Sequence, residues 1–202
     1  MKNIGLYLHI PFCKSKCPYC DFYSFSGKDT QKDEYTSVLK DKILSSISTL
    51  QRKGDTLYIG GGTPSVLGAK NLEILVNACN SGFLTDNAEI TVECNPSSVS
   101  EKFFLEIKNA GVNRISMGMQ SAVDKERLTL GRLPDSNQVR QAVAAAKEAG
   151  IDNISLDIML SLPNSNCETL KKSLEFILGL NPEHISAYIL KIEKNTAFFM
   201  EK

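Results

Sequence analysis

Cys13, Cys17 and Cys20 stand in the string HIPFCKSKCPYCDFYSF, three thiols within eight residues. The spacing C-x3-C-x2-C places three soft ligands on one tight loop, where they can converge on a metal. Lys14 and Lys16 lie between them, and nearby positive charge favours the thiolate, the form that ligates. Zinc in a structural site wants four protein ligands. His9 is a candidate fourth, yet it belongs to a strand-like segment with apolar neighbours, which favours a packing role. An iron–sulfur cubane can instead be held by three cysteines, with one iron left for another ligand. Spacing alone leaves both readings open.

Other chemistry-bearing residues sit where apolar segments end. Glu93 closes EITVEC and needs a partner, either a ligand cation or hydroxyl or an ion pair with Arg114. Asp157, among Leu156, Ile158 and Met159, is costly to bury unpaired. Gly60, Gly61 and Gly62 follow TLYI, and glycines after a strand let backbone groups approach a ligand closely. The same triplet also reads as a plain turn into Thr63-Pro64, an N-cap followed by proline at the first helical position.

The elements that must position these groups alternate along the chain. Strand-like segments occupy 6–10, 56–60, 89–94, 114–120, 153–160 and 184–192, rich in Ile, Leu, Val and Tyr as strands covered on both faces are. Helical spacing links Tyr35, Val38, Leu39, Ile43, Ile47 and Leu50 after a polar DTQKDE start. Ser100 reads as the N-cap of a helix carrying Phe103, Phe104 and Ile107, with Gly111 at its end. Asp135 or Ser136 opens the next, with Val139, Val143 and Ala146 on one face and Gly150 closing it. Leu170, Leu174, Ile177 and Leu178 form a last stripe before Asn181-Pro182. Six strands with helices between them predict an α/β protein with a parallel sheet, and periodicity leaves open sheet and barrel equally possible. In both, ligands gather at the carboxyl ends of the strands. The cysteine loop, the glycine triplet, Glu93, Gln120 and Asp157 are therefore expected on one rim.

Composition narrows the class. The 202 residues carry 23 Lys+Arg against 23 Asp+Glu, so no charge excess points to nucleic acid or a membrane surface. No apolar run is long enough to cross a bilayer, and the strand-like start leaves no room for a secretory signal. The cytoplasm is the expected compartment. Cys79, Cys94 and Cys167 are scattered and read as small buried hydrophobes rather than disulfide partners.

Cys13-x3-Cys17-x2-Cys20, with Tyr19 before the third cysteine, resembles the signature of radical S-adenosylmethionine (SAM) enzymes. YLHIPFCKSKCPYCDF resembles the branch of oxygen-independent coproporphyrinogen III oxidases and the related HemW-type haem chaperones. LYIGGGTPS, VECNP, GVNRISMGMQS, LGR and the Asp of SLDIM match in the same order, over nearly the whole chain. The resemblance implies a partial (β/α)6 TIM-like barrel and a [4Fe-4S] cluster on Cys13, Cys17 and Cys20. The open iron would bind SAM, which is cleaved to a 5′-deoxyadenosyl radical. Tyr7, Tyr19, Gly61, Gly62, Thr63, Glu93, Gln120, Arg132 and Asp157 match positions that surround SAM; Tyr7 reads equally as a strand core residue. Haem or porphyrin, an electron donor such as flavodoxin or ferredoxin, and a haem-receiving protein are the partners implied.

Departures refine this. Oxidases of the branch carry an additional cysteine where this chain has Phe22, which favours the chaperone over the oxidase. Relatives usually show a His near Pro134. Where they read Asp-Leu-Met-Tyr-Gly-Leu-Pro-Gly, Asp157 here is followed by Ile158-Met159-Leu160-Ser161-Leu162-Pro163-Asn164. Residues 1–202 are expected to form the radical SAM core alone, without the family's C-terminal domain. An inactive scaffold is the remaining alternative.

Overall fold

A computed structural model describes residues 3–50, 52–132 and 135–200. Six strands, β1 (Ile4–Ile10), β2 (Gly54–Gly61), β3 (Leu84–Cys94), β4 (Arg114–Gln120), β5 (Asn153–Leu160) and β6 (His184–Ile189), pair in chain order. Every pairing is parallel. Among the described residues no pairing joins β6 back to β1, so the barrel is partial. The helices are α1 (Asp29–Leu50), α2 (Ala69–Asn80), α3 (Glu101–Asn109), α4 (Asp124–Thr129), α5 (Asn137–Glu148), α6 (Cys167–Leu180) and the short α7 (Ala197–Met200).

One core holds the helices on the sheet. Leu57, Ile59, Val92, Ile115, Leu156 and Ile158 are buried in a single cluster with Leu72, Leu75, Phe104, Ile107, Val143 and Ile177 of the helices. Residues alternating with these strand positions turn the other way: Tyr7, His9, Tyr58, Glu93, Ser116 and Asp157. The central strands β3, β4 and β5 are covered on both faces as expected, with Thr91, Ser116 and Ser155 buried on the lumen side, whereas that face is open on the edge strands at Tyr7 and Tyr188. Period-two alternation gives an apolar face to the helices and a polar face to the lumen.

Helix boundaries follow capping chemistry. Ser100 Oγ accepts from the Phe103 amide at 3.2 Å, as expected for α3. At α5 it is Asp135 whose carboxylate takes the Asn137 amide, at 2.9 Å, while Ser136 makes no side-chain cap. Thr63 does not open an α-helix: Pro64–Leu67 is a single 3-10 turn, and α2 starts only at Ala69. Two stripes are narrower than their spacing implies. Val38 and Leu50 of α1 and Leu174 and Leu178 of α6 are exposed, and Ser173 and Leu180 are buried instead. Cys79 and Cys94 are buried as expected, whereas Cys167 is exposed at the start of α6.

The loop after β5 explains two of the departures. Ser161 and Asn164 have φ of 58° and 65°, the left-handed region, at the two positions where the resemblance implies glycine. Asn tolerates this conformation; Ser does so at a cost of about 1 kcal/mol. Ser161→Gly is therefore expected to stabilise the protein by about 1 kcal/mol in urea unfolding, with Asn164→Gly giving less.

Candidate functional site

The cysteine loop leaves β1 and is tied back at both ends. The Cys13 amide donates to the Phe25 carbonyl at 3.0 Å, and the Phe25 amide to Pro11 at 2.8 Å. Phe12 is buried between them, edge-on to Phe25 and Tyr35. From β2, the Gly62 amide reaches the Ile10 carbonyl at 2.7 Å and the Thr63 amide reaches Phe12 at 2.8 Å. A Cβ on Gly62 would come within 2.6 Å of the Phe12 carbonyl oxygen, so only glycine permits this approach. The Thr63 hydroxyl, free of any helix cap, donates to Cys13 Sγ at 3.5 Å.

Within the loop, the Cys20 amide closes a turn on the Cys17 carbonyl at 3.0 Å. The Lys16 ammonium donates to the Phe22 carbonyl at 2.9 Å. Burial raises the Cys20 thiol and outweighs Lys16, which contributes the smallest effect, so the expected thiolate bias from the flanking lysines does not prevail there. Among the described residues no three His, Cys, Asp or Glu side chains stand close enough to share one metal ion. Cys13 and Cys17 are still near enough to Cys20 for their charge to raise its thiol, and a polynuclear cluster needs such neighbouring thiols because its ligands bind separate irons. His9 points elsewhere: its Nδ1 meets Tyr7 Oη at 3.2 Å and its Nε2 meets the Tyr23 carbonyl at 3.0 Å. The carbonyl can only accept, so Nε2 carries a proton, and in the neutral imidazole Nδ1 is the acceptor for Tyr7.

The lumen beside this loop is polar. Glu93 accepts from Tyr58 Oη at 2.8 Å and from the Gly61 amide at 3.1 Å. The ion pair with Arg114 does not form. Arg114 Nε instead lies 4.0 Å from Glu89, and its Nη1 donates to Thr91 at 3.3 Å. Burial still holds Glu93 above the usual carboxylate range, although both hydrogen bonds pull it down. Asp157 accepts from Ser116 Oγ at 3.4 Å, and burial, reinforced by the charge of Glu93, raises it from 3.8 to about 6. Tyr7 is 56 % exposed and stacks on Tyr58 with 6.2 Å between centroids, a lumen residue rather than core. Tyr58 was invisible as Glu93's partner because register sets the pairing; its one signal is alternation with Leu57 and Ile59.

Across the lumen, Arg132 Nη1 donates to the Gly118 carbonyl at 2.7 Å and Nη2 to Tyr19 Oη at 3.3 Å. Tyr19, raised to about 12 by burial, also meets Phe198 edge-on. Gln120 Nε2 and Arg132 Nη2 lie 2.8 and 3.3 Å from where a Gly118 Cβ would be, so glycine there admits both side chains. Gln120 Oε1 and Arg132 Nε are buried without a hydrogen-bond partner. An unpaired acceptor, an unpaired donor and two carboxylates above their ordinary range fit a polar, cation-bearing ligand. Phe22 is 68 % exposed, and Pro134 lies outside the described residues.

Residues 7–177 match the model of the Radical SAM superfamily, and the chain belongs to that family. Among curated relatives, it is 39 % identical to "Heme chaperone HemW" of Haemophilus influenzae, covering 96 % of this chain and 53 % of that protein. Identity to the proteins of the same description is 38 % in Escherichia coli and 37 % in Bacillus subtilis, each over 96 % of this chain and 52 % of the relative. The chain thus spans about half the length of the relatives it matches. Coproporphyrinogen III oxidase (HemN) from Escherichia coli shares the fold, with a TM-score of 0.90 at 24 % identity over 98 % of this chain and 46 % of that one. The methyltransferase TsrM from Kitasatospora setae matches with a TM-score of 0.68 at 16 % identity, over 98 % and 39 % of the two chains.

Asp157→Asn separates function from stability. Near pH 2, well below the unperturbed value of 3.8, native and unfolded chains both hold the Asp157 proton, and the variant gains nothing. Between about pH 4 and 6 the unfolded chain ionises Asp157 while the native chain keeps its proton, so the wild type loses stability across that window and levels off above it. At pH 7 the ligand-free variant is expected to be about 1–3 kcal/mol more stable than wild type, measured by urea unfolding at both pH values.

Proposed function

We propose that this chain is the cluster- and SAM-binding core of a HemW-type haem chaperone. The observation that carries the reading is the juxtaposition of Cys13, Cys17 and Cys20 with a polar lumen holding Glu93, Gln120, Arg132 and Asp157. Cys13, Cys17 and Cys20 would hold a [4Fe-4S] cluster, and the iron without a cysteine would take the amino and carboxylate groups of SAM. When bound, the cluster supplies one electron for reductive cleavage of the sulfonium.

The protein's own groups do the rest. Glu93 and Asp157 offer negative charge to a cationic ligand and recover the cost of their burial when it arrives. Gln120 Oε1 accepts from the ligand, and Arg132 fixes Tyr19 against the lumen wall. Gly61, Gly62 and Thr63 bring β2 backbone to the loop, and Tyr7 and Tyr19 present aromatic surface on either side. The chaperone reading is supported by the relatives' descriptions and by Phe22 at the position of the oxidase's additional cysteine. Haem is then the cargo, with a reductant of flavodoxin or ferredoxin type and a haem-receiving protein as partners. Residues 1–202 act as the radical SAM core, in the cytoplasm.

Anaerobic reconstitution with iron and sulfide, followed by electron paramagnetic resonance, tests the reading. A [4Fe-4S] signal that changes on adding SAM is expected, and Cys17→Ala is expected to lose both the iron and the change. A reconstituted protein with no cluster signal, or one whose spectrum ignores SAM, overturns it. Haem binding without decarboxylation of coproporphyrinogen is the outcome expected of a chaperone; turnover without haem affinity reverses the assignment.

A further inference from the structure

The backbone at the end of β4 adopts a costly shape. Gln120 has φ of 70°, a region side-chain-bearing residues rarely enter. The Ser121 amide donates to the Met119 carbonyl across it at 3.0 Å. That bond and that φ belong to the strained form of the γ-turn, which persists only where its surroundings over-determine it. The ladder to β5 shifts register at the same point, between Gly118 and Gln120.

A buried polar cluster surrounds the turn. Arg127, on α4, donates from Nη1 to both carbonyls flanking Gln120, Met119 at 2.9 Å and Ser121 at 3.3 Å. Ser121 Oγ donates to Glu126 Oε2 at 2.6 Å and accepts from the Val123 amide at 2.9 Å. Ser173, from α6, accepts from the Ala122 amide at 3.0 Å and lies 3.3 Å from Ser121 Oγ. Arg127 and Glu126 are each 4 % exposed. Burying such groups is expensive where packed apolar residues would serve for stability alone.

We propose that Arg127 is a positioning residue for the SAM site. By gripping the carbonyls on both sides of the γ-turn, it keeps the Gln120 amide turned over Gly118 beside Arg132, with Oε1 free for the ligand. The inference rests on the reading of Gln120 as a SAM contact. Lysine at 127 is a point donor without the guanidinium fork and holds the turn less well; methionine reaches neither carbonyl.

A double-mutant cycle on the reconstituted chain tests this, read as the SAM Kd by anaerobic calorimetry, with iron content and thermal midpoint alongside. Gln120→Ala is expected to weaken SAM binding. Arg127→Met is expected to weaken it about 10- to 100-fold at unchanged iron content, with Arg127→Lys in between. In the Gln120→Ala background, the Arg127 substitutions are expected to cost SAM no further affinity, because they act through the same side chain. Wild-type affinity in Arg127→Met beside a weakened Gln120→Ala overturns the proposal and leaves the contact standing. Losses that simply multiply do the same. Wild-type affinity in Gln120→Ala overturns the contact and the proposal with it. If Arg127→Met does not fold, Arg127→Lys carries the comparison: a weaker, non-multiplying loss supports the proposal, and wild-type binding overturns it.

Discussion

The site hangs on a seam of two backbone hydrogen bonds between the ends of neighbouring strands. Gly62 and Thr63 donate to Ile10 and Phe12, and the approach is so close that a Cβ on Gly62 has no room. Phe12, buried immediately before Cys13, converts that seam into an anchor for the cysteine loop. The loop is thereby fixed to two adjacent strands rather than draped over the barrel. Loops that carry function work best when a rigid scaffold sets their ends, and here the scaffold is the first strand pair itself.

From the anchor, the lumen follows by register. Tyr7 faces Tyr58 across the β1–β2 pair, Glu93 faces Ser116 across β3–β4, and Gly118 faces Asp157 across β4–β5. Because side chains alternate, every such pairing that puts a polar residue inward puts an apolar neighbour into the helix-facing core. A one-residue slip would exchange the two faces, so the apolar core holds the polar site in register.

Residues that look out of place among their neighbours were legible in the sequence. Three thiols on one turn, Glu93 closing an apolar strand and Asp157 inside one each violate their local pattern, and each marks the lumen rim. Gln120 was placed on the rim only by its position at a strand end, and Arg132, an ordinary charge by itself, was singled out by the resemblance alone. What stayed hidden depended on contacts between distant segments. Tyr58 meets Glu93 through strand register. Ser173 is buried in a helix whose leucines, Leu174 and Leu178, had claimed the inward face, because a polar cluster at β4 takes its hydroxyl. Ser161 occupies a left-handed position that composition gives no reason to expect of serine.

The raised carboxylate in the lumen also ties occupancy to acidity. The cation proposed for this lumen would need Asp157 ionised, yet burial keeps its proton on up to about pH 6. Loading below that pH would then expel a proton, and affinity would climb with pH until the carboxylate is fully ionised and level off above that. On that reading the lumen would work as a proton–cation exchanger, with its range set by how deeply one aspartate is buried.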